Sequence, residues 1–342
     1  MLSVSEAVAA LSGAPDTERA DSRLRQRLSA VRELLADDLA WVEQELLGAS
    51  GAGPEPAARA ARHLISRGGK RIRPLALLLS AACFGPVSAA ARELAVVAEL
   101  VHSATLLHDD VVDQGDERRG APTSRRLWGN GVSVLGGDLL LVQALQKTLE
   151  HAPELLADLV ATLRRLVNGE IVQLRGRTEL DLSETTYESI LRDKTASLFS
   201  WTTRTGAAIA GAGEADQRRL ASFGERIGIA FQLVDDALDY AGERTGKTLL
   251  ADLRDGKLTL PLVLAVAQRP ELAEPLRKIH AGDAAPVAEV SRAVIESGAC
   301  EVVRERAERH TRAAVEALEG IELGPARTLL VAVAHELGRR AA

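Results

Sequence analysis

Residues 94–113 read LAVVAELVHSATLLHDDVVD. Through residue 107 the apolar side chains fall on most faces of a 3.6-residue repeat, which predicts a buried helix. It ends in Asp109, Asp110 and Asp113, three carboxylates at i, i+1 and i+4. On a helix the first and last share a face one turn apart, with the middle one close beside them. The same spacing returns in Asp235, Asp236 and Asp239, again behind an apolar run, IGIAFQLV at 227–234. Anionic groups packed this closely repel unless cations lie between them. At the end of a buried helix they need cations or donors at hand. One DDxxD alone reads as a solvated acidic helix end. Two, each behind an apolar helix, read as half-sites for several Mg²⁺ ions that hold a diphosphate. The ligands are hard oxygens with no accompanying Cys/His set, which favours Mg²⁺ or Mn²⁺ over zinc.

The rest of the chain suits a helical protein built around those stretches. Of 342 residues, 46% are hydrophobic but only 3% aromatic, so Ala, Leu and Val must form the core. With only 12 prolines, that composition favours helix. The formal net charge of -6 argues against a nucleic-acid binder relying on bulk positive charge. Cys83 and Cys300 form no CxxC pattern, which fits a reducing, cytoplasmic setting. The N-terminus lacks the basic n-region and long h-region of a secretory signal. The most apolar stretch, 74–91, is interrupted by Gly85-Pro86 and reads as a buried helix and its end, not a membrane span.

Residues 1–22 are small, polar and weakly patterned, and are expected to be a mobile N-terminal extension. Residues 23–342 read as a single all-α domain, since no linker divides them and strand-like alternation is essentially absent. From 23 to 47, Leu28, Val31, Leu34, Leu35 and Leu39 recur at helical spacing. A Gly/Pro/Ala-rich loop follows at 48–56. Helical patterns then cover 57–67, 74–84, 88–111, 131–150, 153–175, 184–211, 215–241 and 258–268. Three more lie near 286–297, 299–318 and 324–339. Ser183 is a candidate N-cap for the helix opening at Glu184.

Cations gather where a second diphosphate would need them. Gly68-Gly69-Lys70-Arg71-Ile72-Arg73-Pro74 joins a flexible turn to three cations and a helix-starting proline. Its glycine N–H groups, with Lys70 and Arg73, can cradle a diphosphate, although the loop is not a Walker A sequence. Arg118-Arg119-Gly120 begins five residues past Asp113, and Lys194-Thr195, Lys247 and Lys257 add further charge.

Taken in order, GGKRIRP (68–74), HSATLLHDDVVD (102–113), RRGAPT (118–123), WGN (128–130), GGDLLL (136–141), GEIVQL (169–174), DKTASLF (193–199), FQLVDDALDY (231–240), GK (246–247) and DLRDGKLTLP (252–261) resemble the trans-isoprenyl diphosphate synthases. This is the polyprenyl synthetase family, and its bacterial long-chain, octaprenyl-type branch is the nearest in character. The resemblance spans residues 25–340 and departs from the family pattern at Arg67 and Thr248, neither of which removes a needed charge.

The resemblance implies an all-α isoprenoid synthase bundle with a central cavity flanked by the two aspartate motifs. Asp109, Asp110, Asp113, Asp235, Asp236 and Asp239 would bind Mg²⁺, three ions per site, on the allylic diphosphate. Arg118, Lys194, Thr195, Gln232, Lys247 and Lys257 would hold that diphosphate. Gly69, Lys70, Arg73, His102 and Arg119 would take isopentenyl diphosphate. His102 lies two helical turns before Asp109 on the same face, which suits that placement. His108 has no matched role and is read as structural. Glu170 and Gln173 fit the family pattern and are read as shaping a helix interface.

The implied chemistry is ionisation of the allylic C–O bond, attack by the isopentenyl double bond, and proton loss to the released pyrophosphate. No side-chain nucleophile is needed. Ala104 and Thr105 lie about 6–7.5 Å upstream of Asp109 along the helix, where short-chain relatives carry a closing aromatic. A long product follows. A homodimer is the family expectation, and the apolar product suggests transient membrane association at release. The competing readings are a geranylgeranyl or farnesyl diphosphate synthase, a class I terpene cyclase, and a non-catalytic subunit. The small residues at 104–105 weigh against the first. A cyclase has no need of GGKRIRP, and a silent subunit would be expected to lose aspartates or cations that this chain keeps.

Overall fold

The computed structural model describes residues 18–240, 250–254 and 256–339. These residues are helical apart from turns and one two-stranded hairpin. Their contacts divide the chain into two units. Among the described residues, the first comprises 18–160, 201–221 and 320–332; the second comprises 161–200, 222–240, 250–254, 256–319 and 333–339.

The first unit begins with α1 (Glu18–Gly51), α2 (Ala57–Ser66), α3 (Ile72–Ala82) and α4 (Ala89–Val112). Helix α1 buries Leu35, Leu39, Val42 and Leu46, spaced three or four apart as one apolar face requires. Leu34, expected on that face, is exposed instead. Ser88 starts α4 by accepting a hydrogen bond from the Ala91 N–H at 3.1 Å. Strands β1 (Glu117–Arg118) and β2 (Ala121–Pro122), then α5 (Ser124–Trp128) and α6 (Asn130–His151), complete this run. Helix α4 packs chiefly on α6. The approach is close because Gly137 has no Cβ, which would lie 2.3 Å from His108 Nε2.

The chain continues through α7 (Leu156–Glu179), α8 (Glu184–Ile190), a π-helical segment (Leu191–Ala196), α9 (Ser197–Ile209) and α10 (Glu214–Leu238). Then come α11 (Ala251–Arg254), α12 (Leu260–Gln268), α13 (Ala273–His280), α14 (Val287–Glu296), α15 (Ala299–Ala317) and α16 (Pro325–Arg339). Ser183 caps α8 as its sequence predicts, accepting from the Thr186 N–H at 3.3 Å. The continuous helix expected over 184–211 is corrected: six residues wind as π-helix between α8 and α9. Within the second unit, Tyr187, Leu191, Ala196, Ile229, Leu233 and Ala237 share one core cluster. Leu253, Leu262, Leu276 and Val290 belong to another.

Candidate active site

In the first unit the aspartates sit where α4 ends. Asp110 is 2% exposed, while Asp109 and Asp113 are half-buried. The Asp113 N–H closes the last turn on Asp109 O at 2.8 Å, and the Gly115 N–H reaches Asp110 O at 2.9 Å. The chain then reverses through the β1–β2 hairpin. Its two central residues, Arg119 (φ 54) and Gly120 (φ 68), take the left-handed conformation of a tight hairpin turn. That turn swings Arg118 back so that its Nε donates to Asp110 Oδ1 at 2.5 Å. Burial raises the Asp110 carboxyl above the usual carboxylate range, and the Arg118 guanidinium opposes the shift.

Beside this carboxylate lies a nest of cations. Arg119 Nη1 donates to Leu64 O at 3.2 Å and also to Gly68 O. His102 is held well below its ordinary value by burial, then by Arg73, Arg119, Arg118 and Arg71, so its imidazole is neutral. Arg73 is lowered to about 10 by burial, against the pull of Glu99. Lys70 is exposed. The structure thus brings Arg118 onto Asp110 and sets Arg73, Arg118 and Arg119 within electrostatic reach of His102. Ala104 is fully buried, and the Thr105 hydroxyl turns back to donate to His102 O at 2.8 Å.

In the second unit Asp236 is 3% exposed and fully engaged. Tyr187 Oη donates to its Oδ2 at 2.6 Å, and Gln232 Nε2 donates to its Oδ1 at 2.8 Å. Thr195 Oγ1 donates to Gln232 Oε1 at 3.2 Å, which extends the chain to the π-helical segment. Burial, with the nearby Asp252 charge, pushes the Asp236 carboxyl up to about 7. Lys194 pairs with Glu170, and Lys257 with Asp252 at 3.2 Å. Asp235 and Asp239 are half-buried. Lys247 lies outside the described residues.

Glycines position that π-helical segment. A Cβ on Gly169 of α7 would stand 2.6 Å from the Lys194 nitrogen, and one on Gly228 of α10 would stand 2.7 Å from Ala196 Cα. Only glycine permits both approaches. Such local π geometry is often found where side chains are set for function.

The donor chemistry fits Mg²⁺. All six aspartates offer hard oxygens, and two of them are buried at the ends of apolar helices. Among the described residues no three His, Cys, Asp or Glu side chains converge enough to chelate an ion alone. Mg²⁺ does not require such a cage, because it is commonly held by one or two carboxylates plus substrate phosphates and water.

A polyprenyl synthetase family model matches residues 54–297. The chain belongs to the polyprenyl synthetase family. It is 37% identical over 318 residues to heptaprenyl diphosphate synthase component 2 of Geobacillus stearothermophilus, covering 92% of this chain and 99% of that one. Octaprenyl diphosphate synthase of Escherichia coli K12 is 35% identical over 314 residues, covering 90% and 97%. The crystal structure of a polyprenyl synthase from Caulobacter crescentus CB15, complexed with calcium and isoprenyl diphosphate, superposes with a TM-score of 0.85 at 35% identity, covering 92% and 98%. The expected fold class and prenyltransferase family therefore stand.

Sequence reasoning missed Glu99, Glu43 and Tyr187. Glu99 had a signal, being the one acidic residue within the apolar stretch 94–107, where a buried charge demands a partner. Tyr187 had none, since its partner Asp236 is 49 residues away.

Proposed function

We propose that this protein is a Mg²⁺-dependent all-trans-polyprenyl diphosphate synthase that extends an allylic diphosphate, such as farnesyl diphosphate, with successive isopentenyl diphosphates. The observation that carries this reading is the first unit's pairing of a buried aspartate helix end with Arg118, which donates to Asp110, and with Arg119 beside it on the Gly68 turn. Asp109, Asp110, Asp113, Asp235, Asp236 and Asp239 would hold Mg²⁺, or Mn²⁺ in its place. Bound Mg²⁺ supplies Lewis-acid charge neutralisation to the departing diphosphate. Arg118, Lys194, Thr195, Gln232, Lys247 and Lys257 bind the allylic diphosphate. Lys70, Arg73, His102 and Arg119 hold isopentenyl diphosphate, with Gly69 leaving its backbone open to approach. The reaction requires that water, which would quench the allylic cation, be kept from it.

The long-chain reading rests on α4. Ala104 and Thr105 are both small, where an aromatic would close the pocket to a growing tail. The protein is further read as cytoplasmic. Among the described residues no helix is long and apolar enough to cross a membrane, which leaves transient membrane contact at product release as the proposed route for the lipid.

A homodimer is supported by α6, where Leu135, Val142 and Leu149 recur every seven residues and are 58%, 50% and 58% exposed. A relative named as component 2 of a heptaprenyl synthase favours a second reading, in which this chain is one part of a two-component enzyme. The purified chain alone decides between them, since a component would be inactive without its partner. Asp109→Ala and Asp235→Ala should each nearly abolish Mg²⁺-dependent incorporation of isopentenyl diphosphate while circular dichroism stays helical. Full activity in both variants would defeat the metal assignment.

A further inference from the structure

The middle cation of Lys70-Arg71-Ile72-Arg73 behaves unlike its neighbours. Arg71 is a non-glycine residue in the left-handed region, φ 47 and ψ 33, at the start of α3. Such a conformation persists only where surroundings impose it. Here its guanidinium is pinned on three sides. Nε and Nη2 make a two-pronged contact with Glu43 at 2.7 and 2.9 Å. Nη1 donates to Glu99 at 2.8 Å, and Nη2 also reaches Ile65 O at 3.2 Å. Burial alone would lower the Arg71 value, but the bonds and charges of Glu43 and Glu99 reverse that and raise it.

Glu99 is the deeper partner, 2% exposed and one turn before His102 on α4. Its charge also acts on Arg73 and Arg119, opposing in both the lowering that burial imposes. Between the two guanidinium groups lies Gly69. A Cβ there would stand 2.9 Å from Arg71 Nη1 and 3.0 Å from Arg119 Nη2. Those atoms are the ends of long side chains, yet Arg71 cannot swing away without breaking its carboxylate bonds. One buried carboxylate therefore holds the left-handed Arg71, whose guanidinium abuts the Gly69 turn on which Arg119 also rests.

We propose that Glu99 is a positioning residue for isopentenyl diphosphate, acting through Arg71, and that Arg71 is a strut and not a diphosphate ligand. The proposal rests on the reading of this nest as the isopentenyl diphosphate site. A buried arginine deprived of one partner must rearrange, because an uncompensated buried charge is strongly unfavourable. The cradle formed by Gly69, Arg73 and Arg119 would move with it.

The electrostatic alternative predicts the opposite sign. If only the field mattered, removing a negative charge beside a cationic site would tighten diphosphate binding.

The test is a double-mutant cycle on Glu99→Gln and Arg71→Gln, read as KM for isopentenyl diphosphate and KM for farnesyl diphosphate with Mg²⁺ present. Each single variant should raise KM for isopentenyl diphosphate about tenfold and shift that for farnesyl diphosphate less than twofold. The double variant should cost about the same tenfold, because both changes cut one linkage. Multiplying effects would make Arg71 a direct ligand and overturn the proposal. An unchanged or lowered KM in Glu99→Gln, or equal rises for both substrates, would also overturn it. Should Glu99→Gln fail to fold, Glu43→Gln loosens the same strut from its half-exposed side and must raise the same KM selectively. Wild-type protein that does not consume isopentenyl diphosphate would instead remove the functional reading beneath the proposal.

Discussion

Asp236 and His310 show how burial sets protonation in the second unit. Asp236 is pushed up to about 7, chiefly by burial, and keeps its place through Tyr187 and Gln232. His310 goes the other way. Burial, with Arg226, Arg192 and Arg309, lowers it from 6.5 to about 4. The folded protein thus refuses a proton that the unfolded chain accepts, so the stability from His310 is whole above pH 6.5 and is lost as pH falls through about 4. Melting temperature should drop across that window, and His310→Gln should show a shallower drop. Equal slopes would assign the acid loss to other groups. At this scale the sequence was legible where carboxylates ended an apolar helix, which singled out both aspartate clusters, whereas the roles read for His102 and the GGKRIRP cations came from the family resemblance. It was silent where a residue's meaning lies in a distant partner. Glu43 and Glu99 each meet Arg71 across 28 positions, and no local spacing encodes that.

Several of the longer elements were read closely, although the run over 184–211 was not. The apolar periodicity of α4, α10 and α15 survives a few misplaced side chains, so their ends fall within a few residues of expectation. Short elements leave no such trace. The β1–β2 hairpin has two residues per strand, too few to alternate, yet it places Arg118 on Asp110. The π-helical turn that carries Lys194 and Thr195 is likewise invisible to a 3.6-residue template. Its signature is instead a pair of glycines, Gly169 and Gly228, on the helices that crowd it. Gly169→Ala should force the Lys194 backbone aside, costing about 1–3 kcal/mol of stability and weakening allylic diphosphate binding more than that of isopentenyl diphosphate. Unchanged stability and kinetics would show that the segment has slack.

For the whole molecule, composition and the ordered motifs were enough to reach the family. The extent of assembly was not readable, because an exposed stripe looks in sequence like any amphipathic helix edge. Along α6, Leu135, Val142 and Leu149 make that stripe, and along α7 Val160, Val167 and Ile171 are exposed on one face. Light scattering should find twice the chain mass, and Leu135→Glu with Val142→Glu should return it to one. A wild-type monomer would leave the stripe for a different partner. The most direct test of the account is product analysis after incubation with Mg²⁺, labelled isopentenyl diphosphate and farnesyl diphosphate, run beside Ala104→Tyr. The account predicts a ladder ending at octaprenyl or longer in wild type and a shorter one in the variant. No incorporation by the chain with any allylic primer would contradict it.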